Sequence, residues 1–385
     1  MKRGFIIVAA VFVCVCFMLG NSSGTKEDNA LKGIISEELE KIDLSELERL
    51  YEQSGLNENE TFFGLLGKLI GGNFDFNDQG FISYAKKLVL NDVCAYAPLF
   101  AAIVAVTILC SLLSDAKSSY MSDSVGEIVN LVGFLAILTL IAMPVLSFWR
   151  ETKNIIENIA KSSEIMSPIM LTLMVASGGK ASAALYKPSL VFLTNGVIGA
   201  YSAIILPLSG LIGVFSCVAI MSPRFRFSKF TEFFGAVIKW LVGLIMTVFG
   251  VFLTIKGISA ASYDGISFKA AKYVVSNSVP LVGGFIKEGF DLVIAGSVLI
   301  KNSIGIIGVF MLVMTVIVPL IRMAIFSLLL KATAALTESF SFSTASALLT
   351  SFSKTVGYFA MCLITVGFMF FIVVLLMIIS ANGVI

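Results

Sequence analysis

Lys287, Glu288 and Asp291 stand in an otherwise apolar stretch that follows Pro280, and they are the residues with the most obvious capacity for chemistry. On a helix, Lys287 and Asp291 are four apart and Glu288 and Asp291 three apart, so one face carries all three together with Gly284 and Ala295. Charges inside a membrane segment are costly, and they mark cavities, ion paths or proton relays when they persist. The face therefore reads as the lining of a polar cavity or inter-subunit pore in which Lys287 partly neutralises the acids. The plainer alternative is an interfacial amphipathic helix whose charges meet water. Arg322, three residues after Pro319, has two readings as well: pairing with Asp291 or Glu288 across a bundle, or snorkelling from a helix end.

No enzyme chemistry is visible. The 385 residues contain no histidine, which removes the usual metal ligand and the usual general base near neutral pH. Ser177-Gly178-Gly179-Lys180-Ala181-Ser182 has a faint phosphate-loop look, but the earlier glycine is missing and Ala follows the lysine. Neither zinc spacing, nor a nucleophilic triad, nor a dinucleotide fingerprint is present, so catalytic residues, metal and cofactor are all expected to be absent. The six cysteines lie in apolar segments and read as small hydrophobes.

The elements that must position these residues are membrane helices. An apolar fraction of 57% with only 14% charged residues lies outside the soluble range, and a net charge of +2 offers no footprint for nucleic acid. The expected fold is all-α and polytopic. Residues 1–24 have the form of a signal peptide, Met1-Lys2-Arg3 before an apolar run to Leu19, with an uncleaved anchor as the alternative. Residues 25–91 form an acidic, helical, extracytoplasmic segment: from Thr25 to Glu60 acids outnumber bases by eleven to four. There Leu44, Leu47 and Tyr51 make one apolar stripe behind two overlapping capping boxes.

Residues 92–164 hold two spans, Val93 to Leu113 and Val125 to Trp149, and then a polar surface helix, Arg150 to Ser163. Residues 165–258 form a first membrane half: a short apolar segment to Ser177, a charge-free run from Leu190 to Ser222 that is either two short spans or one kinked one, and a span from Phe233 to Ile255. The basic loop Pro223 to Lys229 is placed in the cytoplasm by the positive-inside rule. Residues 259–277 connect through a turn at Tyr263-Asp264-Gly265 and an amphipathic helix. Residues 278–385 form a second half with spans from Val279, Ile304 and Val356, and a loop or hairpin over Thr337 to Ser353. The sum is seven to nine crossings.

Pro168 and Pro207 are related to Pro280 and Pro319 by one offset of 112 residues, which Gly196 and Gly308 share. That pattern suggests an internal duplication in which these prolines are hinges of broken helices at a repeat interface.

The leader, the acidic segment, and above all Ala260 to Lys272, Val279-Pro280-Leu281-Val282-Gly283, Ala295-Gly296-Ser297 and Lys301-Asn302 resemble the stage III sporulation protein AE family of endospore-forming bacteria. Leu171 to Leu193 adds a second match. The resemblance implies a permease-like component of a channel or secretion complex in the mother-cell membrane around the forespore. Its implied partners are other stage III sporulation proteins, including a secretion-type ATPase and ring-forming components. The residues alone leave two further readings: a secondary transporter of a small solute, and a membrane scaffold without transport activity.

Overall fold

The computed structural model describes residues 44–53, 61–70, 78–120, 123–221, 227–278, 283–340 and 342–380. The signal-peptide reading, Pro280 and most of the basic loop lie outside them. Among the described residues every regular element is a helix. Two short helices, α1 (Ser45–Gln53) and α2 (Phe62–Ile70), precede six long ones: α3 (Asp78–Tyr120), α4 (Asp123–Ala176), α5 (Lys180–Met221), α6 (Ser228–Ser278), α7 (Gly283–Ser339) and α8 (Ser343–Ile379).

The apolar stripe of α1 is used as its spacing predicts. Leu44, Leu47 and Tyr51 are buried while Glu46 and Glu52 are exposed, and α1 packs on α4. Thr61 caps α2 by accepting from the Gly64 N–H at 3.3 Å, and Phe62, Leu65 and Leu66 are buried as α2 seats against α7.

Among the described residues six helices are long and apolar enough to cross a membrane, one within each of α3 to α8, against the seven to nine crossings expected. The difference arises where separate apolar runs are fused. Val125 to Trp149, the polar stretch after it and Ile165 to Ala176 all belong to α4; the runs on either side of Lys301, from Gly283 on, both belong to α7; and α5 carries the charge-free run to Met221 in one piece. Helix hydrogen bonding continues through a few polar residues at little cost, so hydropathy minima do not end helices.

The expected turn at Tyr263-Asp264-Gly265 is not formed, because α6 runs through all three. An interior Gly costs only about 1 kcal/mol relative to Ala, which does not stop a 51-residue helix. The described hinge candidates Pro168, Pro207 and Pro319 do not break helices either. Pro168 lies inside α4 and Pro319 inside α7. At Pro207 the helix adapts rather than stops: π turns over Phe192–Ile198 and Tyr201–Ile205 precede it, and the Leu206 N–H reaches back to the Tyr201 carbonyl. A wider turn accommodates a residue that lacks an N–H and crowds the preceding carbonyls. The positions related by 112 residues thus differ locally, since Gly196 sits in a π turn and Gly308 in regular α-helix.

True chain reversals carry clear chemistry. Between α4 and α5, Gly178 has φ 91°. Its N–H bonds the Val175 carbonyl at 3.0 Å, and the Gly179 N–H bonds the Met174 carbonyl at 2.8 Å. This is a Schellman cap, so the glycines of the apparent phosphate loop serve a helix end. Between α7 and α8 the Phe342 N–H returns to the Thr337 carbonyl at 3.2 Å, so of the loop or hairpin expected over Thr337 to Ser353 only the few residues around 340 turn, and Ser343 onward is helix α8.

Helix α4 is the spine. Its first half runs antiparallel to α3, with Gly133 against Cys110 and Phe148 against Tyr96. Its second half runs antiparallel to α7, with Met166 over Gly308 and Met170 near Gly305. Glu151 marks the changeover. Helix α8 is the most enclosed helix, paired with α7 through Ser327 and Ser353 at 2.8 Å and through Val316 against Gly367. Helix α5 packs on α4 and α8, and α6 packs on α5 through Phe215–Phe234 and Phe192–Phe252, each at 5.4 Å.

Candidate functional site

At the changeover point three helices each contribute one charge. Arg322 of α7 approaches Asp92 of α3, with Nε 3.6 Å from Oδ2, and Glu151 of α4, with a terminal guanidinium nitrogen 3.6 Å from Oε1. Asp92 is the most enclosed, its side chain 16% exposed against 41% for Arg322. Both distances are ion-pair distances beyond hydrogen-bond reach, and Asp92 Oδ2 and Arg322 Nε are buried without a hydrogen-bond partner.

An aromatic layer lies one helical turn away on the same three helices. Tyr96 follows Asp92 by four residues, Phe326 follows Arg322 by four, and Phe148 precedes Glu151 by three. Phe326 is fully buried at the centre, with ring centroids 5.2 Å from Tyr96, 5.0 Å from Phe148 and 5.6 Å from Phe100. The aromatic layer excludes water from one side of the charges, which strengthens their attraction and raises the cost of leaving any of them alone. Two acids on one guanidinium leave the layer formally one charge negative. It can hold three helices together and can re-pair if one of them shifts.

Arg322 pairs with Asp92 and Glu151; the partners suggested for it, Asp291 and Glu288, lie on the same helix α7, about 45 Å or more of helix away. Lys287, Glu288 and Asp291 fall where the α7 backbone is helical, the condition their spacing argument needs; their side chains lie outside the described residues. Asp92 and Glu151 are the residues that sequence reasoning missed. The available signal was a charge at the edge of an apolar run with an aromatic one turn away, repeated three times.

A second polar locus lies about six turns before Arg322 on α7. Lys301 is fully buried, and its ammonium donates to the Ser380 carbonyl just past the end of α8. A cation at a helix C-terminus meets the unpaired carbonyls and the negative end of the dipole. Lys301 and Arg322 bracket 20 uncharged residues, about 30 Å of helix, which matches the hydrocarbon thickness of a bilayer.

Comparison with known proteins follows the same stretch of chain. The family model described as stage III sporulation protein AE matches residues 61–381, from α2 to the end of α8. The chain belongs to the stage III sporulation protein AE family. Stage III sporulation protein AE of Bacillus subtilis (strain 168) is 25% identical over 323 residues, covering 84% of this chain and 81% of that one. No solved structure matches. The AE-family match takes in every residue of the ion layer and of the aromatic layer beside it.

Proposed function

We propose that this AE-family protein is the permease-like integral component of a channel or secretion complex that acts between mother cell and forespore, seated in the mother-cell membrane around the forespore. It works there with a secretion-type ATPase and ring-forming stage III proteins. The observation that carries this reading is the Arg322, Asp92 and Glu151 layer among long apolar helices. A purely structural bundle gains little from such a layer, because apolar residues of similar volume stabilise as well or better. Lys287, Glu288 and Asp291 belong to the same reading as polar lining near the start of α7.

The test is spore formation by cells carrying Glu151→Gln with Asp92→Asn, and separately Glu288→Gln with Asp291→Asn. Loss of spores while the protein accumulates in the membrane supports a role in the conduit. Full sporulation from the first pair removes the ion layer from the mechanism, and full sporulation from the second removes the α7 face.

A scaffold role is the competing reading, favoured by α1, which buries its apolar stripe on α4 and leaves Glu46 and Glu52 outward. Deletion of residues 25–60 separates the two. Lost partner recovery with normal membrane insertion favours the scaffold, whereas unchanged recovery argues against it.

A further inference from the structure

The polar stretch after Trp149 looks in sequence like a helix on the membrane surface, yet its position in the fold is different. Glu151 is level with Arg322, Met166 with Gly308 and Met170 with Gly305, so α4 from 151 to 170 runs beside the uncharged stretch of α7 between Arg322 and Lys301. Helix α5 confirms the level: the Trp149 indole N–H donates to the Leu206 carbonyl at 3.3 Å, and Ser163 hydrogen-bonds Thr194 at 3.3 Å. Helix α6 follows through α5, since Phe234 meets Phe215 and Phe252 meets Phe192. Leu244 and Val248 of α6 therefore lie at the depth of about Asn158 on α4.

At that depth the exposed surfaces differ in kind. On α6 the outward residues from Trp240 to Thr254 are apolar or small and carry no charge, and the hydroxyls of Thr247 and Thr254 bond their own helix carbonyls, so this face suits lipid, with Lys239 just before it. On α4 the outward residues Lys153, Asn154, Glu157, Asn158, Lys161 and Glu164 form one continuous polar stripe, with Lys153 and Glu157 paired at 3.8 Å. Lipid does not solvate such a face, and charged side chains at membrane depth turn to a water-filled cavity or to each other. The Ser163–Thr194 bond carries polarity across to α5, where the π turn of Phe192–Ile198 holds Thr194 and the exposed Asn195. Turns of this kind recur at functional sites.

We propose that the outer face of α4 from Lys153 to Glu164 is the wall of a water-filled path at bilayer depth. The four charges alternate in sign and cancel. The path therefore has no ring of one charge to select ions, and suits uncharged or zwitterionic polar solutes. This deepens the conduit reading above and rests on it for the purpose of the path, whereas the water itself is tested independently of sporulation.

The experiment uses the full chain with its six cysteines replaced and single cysteines placed at Asn154, Asn158, Leu244 and Val248. Membranes containing each variant, without any sporulation partner, are treated with a membrane-impermeant maleimide applied to both faces. Asn154→Cys and Asn158→Cys should react about tenfold or more faster than Leu244→Cys and Val248→Cys, because a thiol facing hydrocarbon is denied the ionised form that reacts. Labelling of all four after detergent solubilisation shows that every thiol is present, and Lys161→Cys replaces either α4 variant that fails to accumulate. Equal protection of α4 and α6 sites would overturn the proposal, since the stripe would then be sealed from water. Equal rapid labelling of both would overturn it too, since that depth would not be inside the membrane. Either failure leaves the sporulation phenotype of the ion-layer variants untouched.

Discussion

Arg322 draws its importance from being shared between two helices rather than from either ion pair alone. A partly exposed pair contributes about 0.2–1 kcal/mol, but removing the guanidinium leaves two acids beside a buried aromatic layer, one of them with a buried oxygen. Arg322→Ala is expected to destabilise the folded protein by about 1–3 kcal/mol, read as a lowered midpoint for thermal unfolding in detergent. Arg322→Lys keeps the charge but not the fork, and should recover part of that loss. Gly308 makes a different prediction: a Cβ there meets the flexible end of the buried Met166 side chain, so Gly308→Val should cost about 1–3 kcal/mol in overpacking as Met166 is displaced. The sequence left Arg322 either pairing with Asp291 or Glu288 or snorkelling, and it pairs with neither of those acids. Asp92 and Glu151 are 230 and 171 residues away, and only the way the helices assemble brings them near.

At the level of elements, signals that act within a few residues were legible. The stripe of α1 is buried as its spacing requires, and the Ser, Thr and Phe-rich region does contain a turn, near residue 340, although most of it belongs to α8. Signals read as interruptions misled. Tyr263-Asp264-Gly265, Pro168 and Pro319 all lie inside helices, because hydrogen bonding and lateral packing along a long helix outweigh a single poor helix former. Gly178 is the exception, because its positive φ is required by the cap rather than merely tolerated. Gly178→Ala should therefore destabilise by about 1–2 kcal/mol, the cost of the left-handed conformation, and Gly178→Asn by less. Unfolding of the two variants side by side in the same detergent checks the order. A cap that tolerated alanine as well as asparagine would contradict the Schellman geometry.

For the molecule as a whole, composition alone established a helical membrane protein, and the crossing count was lost where apolar runs fused. Helix α4, at 54 residues about 80 Å long, greatly exceeds one bilayer and serves two sets of neighbours: α3 along its first half, α7 and α5 along its second. The ion layer lies at the joint between the two. A shift of α3 against α7 would break or exchange a pairing there, and the proposed conduit role makes this layer the place where such a shift is felt. This follows from assembly, and no spacing within the chain announces it.

The most direct test of that coupling is spore formation by cells carrying Arg322→Glu, Glu151→Arg, or both, with membrane accumulation of the protein measured alongside. Each single reversal opposes like charges across α4 and α7 and should reduce spore yield by about tenfold or more. The double reversal restores the attraction between α4 and α7 and should recover a substantial part of the yield. Normal sporulation from both single variants, or a double variant that accumulates normally yet sporulates no better than the singles, would contradict the account.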